Sequence, residues 1–556
     1  MVRNCLAVIL IILILCSNAF SGEVNKSIDT RVLLIGIDGL EWSMIKDSIK
    51  DNKMPTFAKL MKKGVYGDLY TFLDYTSPSL WTTIATGRPP EVHGITRHIL
   101  HEKGLYEPVY PGSRHRKVKA LWNILTDYKE KTGVVNYQCT KPPEVINGAM
   151  VSSLTRKLNS HDLFPEDLTD ELNFTIEKNF EDTGRSYSFV SYFNSHDNLS
   201  KEISNARDEL VRLSIVTPYI YLRFGKNLNL QITYFYGLDN ISHIFWKFMD
   251  PKSFQNKAWG LNSSSIKNYG SVVKDMYADV DKFVKTIMDD VADKNTVIVI
   301  CSDHGFKKGT PAPRIVFGNL NKLLERIGVL YFKNDNQIDF SSSQAYHYEL
   351  DEPHSFPNIF VSINLKGRQP YGIINPGRNY LELKKRLIDI LSSLTIMETN
   401  AKLFDHVSES SLPEADIKVA IKYDINLTEQ HVKIGKEVYP LTDFYKVLDK
   451  SGDHSDPGVI IIYGKNIKQN GLKKDAHILD ITPTILYLLG LPVAEDMEGK
   501  VLTQAIDETF LKNNPVRYIP TYETKQAGMD KTYEKSSSQI IERKQLDKLK
   551  SLGYVQ

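Results

Sequence analysis

Val32-Leu33-Leu34-Ile35-Gly36-Ile37 runs directly into Asp38-Gly39. A short apolar run closed by a turn signal reads as a buried strand. A carboxylate just past such a strand sits at the carboxyl edge of a sheet, where open α/β folds place ligand sites. The pattern recurs twice. Ile232-Thr233-Tyr234-Phe235-Tyr236-Gly237 leads to Asp239 and His243, and Thr296-Val297-Ile298-Val299-Ile300-Cys301-Ser302 leads to Asp303 and His304. A fourth element has the reverse order: Gly452-Asp453-His454 comes before the apolar run Val459-Ile460-Ile461-Ile462-Tyr463. Pooled, three Asp and three His make a donor set for two divalent ions of hard-to-borderline character.

Helical patterns alternate with these strands, over 54–63, 79–86, 118–128, 269–294 and 479–489, with Gly490 placed as a C-cap. Gly87-Arg88-Pro89-Pro90 stops the second of them, and 133–137 reads as a further strand. Such alternation argues for an α/β fold with a mainly parallel sheet covered by helices. Two stretches, 155–227 and 320–450, look inserted between the ligand-bearing strands. The core then falls into 30–154, 228–319 and 451–510, followed by a tail, 511–556, with a charged helical stretch over 540–552. Caps over a pocket and peripheral decoration both fit the insertions.

The 556 residues are 42% hydrophobic and 24% charged, enough for a large core. A net charge of +2 projects no global field toward nucleic acid, and no nucleic-acid polymer is expected as a partner. Residues 1–21 read as a signal peptide: Arg3, an apolar stretch from Cys5 to Cys16, then Ala19 and Ser21 suited to cleavage before Gly22. That places the mature chain outside the cytoplasm, secreted or periplasmic. A retained anchor is the alternative. No later stretch approaches eighteen apolar residues, so no membrane span is expected after cleavage. Of the four cysteines, Cys139 and Cys301 remain once the leader is gone, and they form no disulfide framework.

Thr76-Ser77-Pro78 offers a nucleophile. Pro at the first helical position puts Ser77 at the N-cap. An N-cap serine is ordinarily only a cap. An alkoxide there is favoured by the helix dipole, and metal coordination lowers its pKa further. Thr76 competes for the role.

Ile35-Gly36-Ile37-Asp38-Gly39, Ser77-Pro78 with Trp81-Thr82-Thr83-Ile84-Ala85-Thr86-Gly87, and His93-Gly94-Ile95 resemble the alkaline phosphatase superfamily. Within it the sequence is similar to the type I phosphodiesterase/nucleotide pyrophosphatase family. Leu238-Asp239-Asn240-Ile241-Ser242-His243, Ser302-Asp303-His304-Gly305, Asn364-Leu365-Lys366-Gly367-Arg368, Gly452-Asp453-His454 and Asp480-Ile481-Thr482-Pro483-Thr484 follow that family's order. The likeness spans about 30–505. It implies an alkaline-phosphatase-like sheet with inserted caps, and a phosphoester hydrolase working through a covalent phospho-seryl intermediate on a small-molecule substrate. It implies two divalent ions, zinc, one held by Asp239, His243 and His454. The other is held by Asp38, Asp303, His304 and the Ser77 oxygen. The family's nucleophile stands ten positions before the Gly, which selects Ser77 over Thr76.

The residues agree with that division. Asp239 and His243 are four apart, so one helical turn aims both at one ion. Two ions about 3.5–4 Å apart activate a nucleophile and stabilise both oxygens of an in-line displacement. One departure stands out: Leu80 occupies the position where the nucleotide pyrophosphatases carry a phosphoryl-binding Asn. With Leu80 and Trp81 there and no cation before Arg88, the helix is expected to present an apolar wall suited to a diester. A phosphomonoesterase, a phosphonate hydrolase and a phosphomutase share such ligands and stay open. A sulfatase would need an Arg at Leu80. A non-catalytic binding protein would have lost ligands, and all seven positions are present. The leaving group and the oligomeric state are not assigned.

Overall fold

The opening apolar run is a strand at the middle of the molecule. The structure is a computed structural model that describes residues 29–523 apart from 103, 156, 183–197, 226–227, 335–336, 351–357, 423–428 and 473–474. The expected signal peptide and the helical stretch at 540–552 lie outside the described residues. The main strands are β1 (Arg31–Ile37), β2 (Val65–Tyr70), β3 (Lys131–Val135), β4 (Gly148–Val151), β5 (Leu163–Phe164), β6 (Leu228–Phe235) and β7 (Thr296–Cys301). A two-stranded ribbon of β8 (Gly305–Lys308) and β9 (Gly452–Ser455) leads into a further sheet strand, β10 (Gly458–Tyr463). The spatial order is β2-β10-β7-β1-β6-β3-β4-β5. From β7 to β4 every neighbouring pair is parallel, while β10 runs antiparallel to both β7 and β2.

That one reversal explains the odd order of the fourth motif. The parallel strands all end at one edge. An antiparallel strand begins there, so residues just before β10 arrive where residues just after β1, β6 and β7 arrive.

The central strands bury both faces, as parallel strands under helices do. Leu33, Ile35 and Ile37 of β1 face a cluster built with α1 (Pro55–Lys63), α3 (Asn198–Phe224), α4 (Gly237–Met249) and α5 (Val272–Val291), through residues such as Phe57, Leu213, Phe245 and Val280. Val32 and Leu34 face the opposite cluster with α2 (Ser77–Thr86) and α6 (Ile481–Leu488), through Leu80, Trp81, Ile84 and Ile485. Two contacts fix helix placement. Asp281 on α5 accepts from the Phe57 and Thr56 N–H groups at 2.9 and 3.2 Å, satisfying first-turn donors of α1 that have no helical partner. Thr482 on α6 donates to the Ile84 carbonyl of α2 at 2.7 Å. Gly87 closes α2 at φ 66°, a left-handed C-cap that favours glycine.

Residues 345–421 contain a four-stranded antiparallel sheet, in order Ala345–Tyr348, Asn358–Ile363, Ile417–Ile421, Phe404–Glu409, with the helix Arg378–Ser393, and one apolar cluster joins them to flanking residues of 317–340 and 432–445. This unit meets the loop that follows α2. The Tyr106 ring stacks on Phe340 at 3.6 Å and its hydroxyl donates to Asn364 Oδ1 at 2.7 Å, while His101 stacks on Tyr348 at 4.1 Å. Among the described residues, no helix is long and apolar enough to cross a membrane.

Candidate active site and metal centre

Asp38 follows β1, Asp303 and His304 follow β7, and Asp239 and His243 lie one turn apart at the start of α4. His454 lies on β9. All six meet at the carboxyl edge of the sheet. His304 Nε2 is central: it lies 3.3 Å from Asp38 Oδ1, 3.5 Å from Asp303 Oδ2 and 3.9 Å from Asp239 Oδ1. Asp239 Oδ1 is 3.3 Å from both His243 Nε2 and His454 Nε2, and those two nitrogens are 2.9 Å apart. Two groups are tight enough to hold an ion, Asp38 with Asp303 and His304, and Asp239 with His304 and His454. His243 adjoins the second group through its contacts to Asp239 and His454.

The tautomers suit metal ligation. His243 Nδ1 lies 2.8 Å from the Gly452 carbonyl and His304 Nδ1 lies 3.1 Å from the Gly305 carbonyl. A carbonyl only accepts, so each Nδ1 carries the hydrogen and each Nε2 turns a lone pair toward the cluster. Metal-bound histidines are held in this way.

The electrostatics point the same way. Asp38 Oδ1 and both oxygens of Asp303 are buried and make no well-formed hydrogen bond. Burial, then the Asp303 and Asp239 charges, raise the Asp38 carboxyl well above its ordinary range. Burial and then Asp239 push Asp303 up to about 7. Asp239 is held well below its ordinary value: burial opposes this, but His243 and His454 outweigh it. Burial and then the neighbouring His304 hold the His454 imidazole well below its ordinary value. Carboxylates crowded together without water are stable as anions only beside a cation. The residues present therefore fit divalent ions.

Ser77 Oγ is 3.4 Å from His304 Nε2. Thr76 Oγ1 instead lies 3.4 Å from Ser79 Oγ. The helix begins one residue earlier than the Pro rule predicts. The Thr76 carbonyl accepts from Ser79 N and Leu80 N, which makes Thr76 the N-cap, Ser77 N1 and Pro78 N2. Proline is tolerated at N2 because its missing N–H would have had no helical partner there.

The expected apolar wall is absent. Every residue of α2 is buried, with Leu80 1% exposed in the core beneath the sheet edge. Trp81 is not a wall either, since its indole N–H donates to Asp38 Oδ2 at 3.0 Å. Tyr234 on β6 donates to the same oxygen at 2.5 Å. Sequence reasoning missed both residues. The signal for Trp81 was its spacing, one helical turn after Ser77.

His98 is buried within the field of Asp239, His304 and Lys450, and burial lowers it to about 3. Lys450 pairs with Asp453 at 3.2 Å and its charge also reaches His454, so a cation stands near the cluster that the nucleophile helix does not supply. His93 holds the turn after α2, between Thr83 Oγ1 and the Ile95 N–H. His101 and His115 secure loops, on the Glu349 carbonyl and the Glu102 carboxylate.

A parallel sheet with clustered carboxylates and imidazoles at its carboxyl edge defines a metal-dependent hydrolase of the alkaline-phosphatase fold class. The sequence pattern of the type I phosphodiesterase/nucleotide pyrophosphatase family matches residues 32–432, and the chain belongs to that family. His454 lies beyond the matched span, and the fold brings it to the site beside Asp239 and His304. No curated protein matches the chain. Among solved structures, murine ectonucleotide pyrophosphatase/phosphodiesterase 5 has a TM-score of 0.39 at 16% identity, over 83% of this chain and 95% of that one. The human protein of the same name has a TM-score of 0.40 at 13% identity with the same coverage. An inactive form of the murine protein in complex with AMP has a TM-score of 0.39 at 15% identity, again over 83% and 95%.

Proposed function

We propose that the protein is an exported phosphodiesterase that uses two zinc ions and a phospho-seryl intermediate on Ser77. The observation that carries this reading is the convergence of three carboxylates and three imidazoles beside one buried hydroxyl, at 3.4 Å from His304. Asp239, His243 and His454 would hold one ion; Asp38, Asp303, His304 and Ser77 Oγ would hold the other. When bound, the ions supply Lewis acidity and lower the pKa of the serine hydroxyl. The chain's own residues do the rest. Helix α2 presents Ser77 at its positive end, which favours the alkoxide. Burial of Ser77 strengthens the charge interactions around it. Serine attack on phosphorus expels the first alcohol, and water then cleaves the seryl ester. The family's diester chemistry supports a diester substrate, and the leader-like 1–21 supports export.

Ser77→Ala is expected to lower turnover of bis-p-nitrophenyl phosphate at least about a thousand-fold. Metal content should be retained, and Thr76→Ala should stay within a few-fold of wild type. Loss in Thr76→Ala with activity kept in Ser77→Ala would overturn the nucleophile. Comparing the diester with p-nitrophenyl phosphate and a phosphonate monoester on one preparation tests the substrate class. A tenfold monoester preference, about 1.4 kcal/mol in the transition state, would overturn the diester reading. N-terminal sequencing of exported protein should begin near Gly22, and an intact Met1 on cytoplasmic protein would overturn export.

A further inference from the structure

The two oxygens of Asp38 are treated differently. Oδ2 accepts from Tyr234 at 2.5 Å and from Trp81 Nε1 at 3.0 Å. Oδ1 is buried with no hydrogen bond and faces His304 Nε2 at 3.3 Å. The contacts continue away from the site. The Tyr234 hydroxyl accepts from Gln138 Nε2 at 2.9 Å, and Gln138 Oε1 accepts from the Tyr110 hydroxyl at 2.6 Å.

An ionised carboxylate fixes the direction of this chain of bonds. Asp38 only accepts, so the Tyr234 proton is committed to it. The Tyr234 oxygen must then take an N–H from Gln138, which turns the Gln138 carbonyl toward Tyr110. The indole arm is built in as firmly. A Cβ on Gly36 would lie 2.6 Å from the Trp81 ring, so the ring rests on bare backbone of the strand that ends at Asp38. Tyr137 anchors the same residue by donating to the Trp81 carbonyl at 2.7 Å.

We infer that Tyr110, Gln138, Tyr234 and Trp81 are positioning residues that commit Asp38 Oδ2 to the protein and reserve Oδ1 for the metal. This rests on the two-ion reading above. A carboxylate pinned by two donors does not rotate, so it meets its ion through one oxygen and with little ordering cost. Partners of metal ligands are typically worth about 10–100-fold in metal affinity.

The test is zinc affinity, measured by competition with a chromophoric chelator on wild type, Tyr234→Phe and Gln138→Glu. The cobalt(II) absorption spectrum is recorded on each. Tyr234→Phe removes the donor. Gln138→Glu does not touch Asp38, but its carboxylate only accepts and draws the Tyr234 proton away. Both variants are expected to bind one of the two ions about 10–100-fold more weakly. The other ion should keep its affinity, with an altered cobalt spectrum at the weakened site. Wild-type affinity for both ions in both variants would overturn the inference. Loss in Tyr234→Phe without loss in Gln138→Glu would also overturn the relay. If Tyr234→Phe does not fold, Gln138→Glu decides alone. Wild type that binds no zinc would instead refute the two-ion reading itself.

Discussion

Asp38 and Asp303 carry the clearest consequence at the scale of single residues. Both are raised, Asp38 by burial and then the Asp303 and Asp239 charges, and Asp303, to about 7, by burial and then the Asp239 charge. A raised carboxyl keeps its proton up to that value, and an incoming ion must displace it. Zinc affinity should therefore fall as pH drops through about 7, with protons released on binding near pH 6. Calorimetric titration in two buffers of different ionisation enthalpy measures that release. Asp239, held low by His243 and His454, should contribute nothing to it in this range. Pairing of Asp with His by four-residue spacing was visible in the sequence, because helical geometry dictates it. The donors to Asp38 were not, because Tyr234 sits on a strand whose neighbours are set only by the sheet.

At the scale of elements, three strands were readable because each is a run of apolar residues ending on a ligand. The direction of β10 was not, since hydropathy carries no polarity along a strand. Helix α3 escaped notice for another reason. Its buried face, Leu210, Leu213, Val216 and Ile220, is interrupted by Glu209 and Arg212, which are buried too. Leu80 misled for a related one: a helix buried all round has no solvent wall, and periodicity alone does not say so. The capping of α1 by Asp281 is a tertiary device that no local signal announces. Asp281→Ala leaves two N–H groups of a buried helix end unpaired, and should cost about 1–3 kcal/mol. Denaturant unfolding would show the loss. Activity per folded molecule should be unchanged, because α1 lies away from the six ligands.

For the whole molecule, the sheet is what makes the site. Three parallel strands, β7, β1 and β6, and the antiparallel β10 beside them bring ligands from sequence positions as far apart as Asp38 and His454 to a single edge. The family likeness was legible from 30 onward because its motifs are short, ordered and chemically constrained. The docking of the unit at 345–421 onto the loop after α2 was not, because it depends on Tyr106 meeting Phe340 and His101 meeting Tyr348 from far along the chain. The most direct measurement of the central claim is turnover of bis-p-nitrophenyl phosphate against the number of zinc ions bound per chain, counted by elemental analysis on the same samples. Turnover should be negligible in metal-free protein and reach its maximum as the second ion binds. Full turnover in protein shown to hold no metal would contradict it.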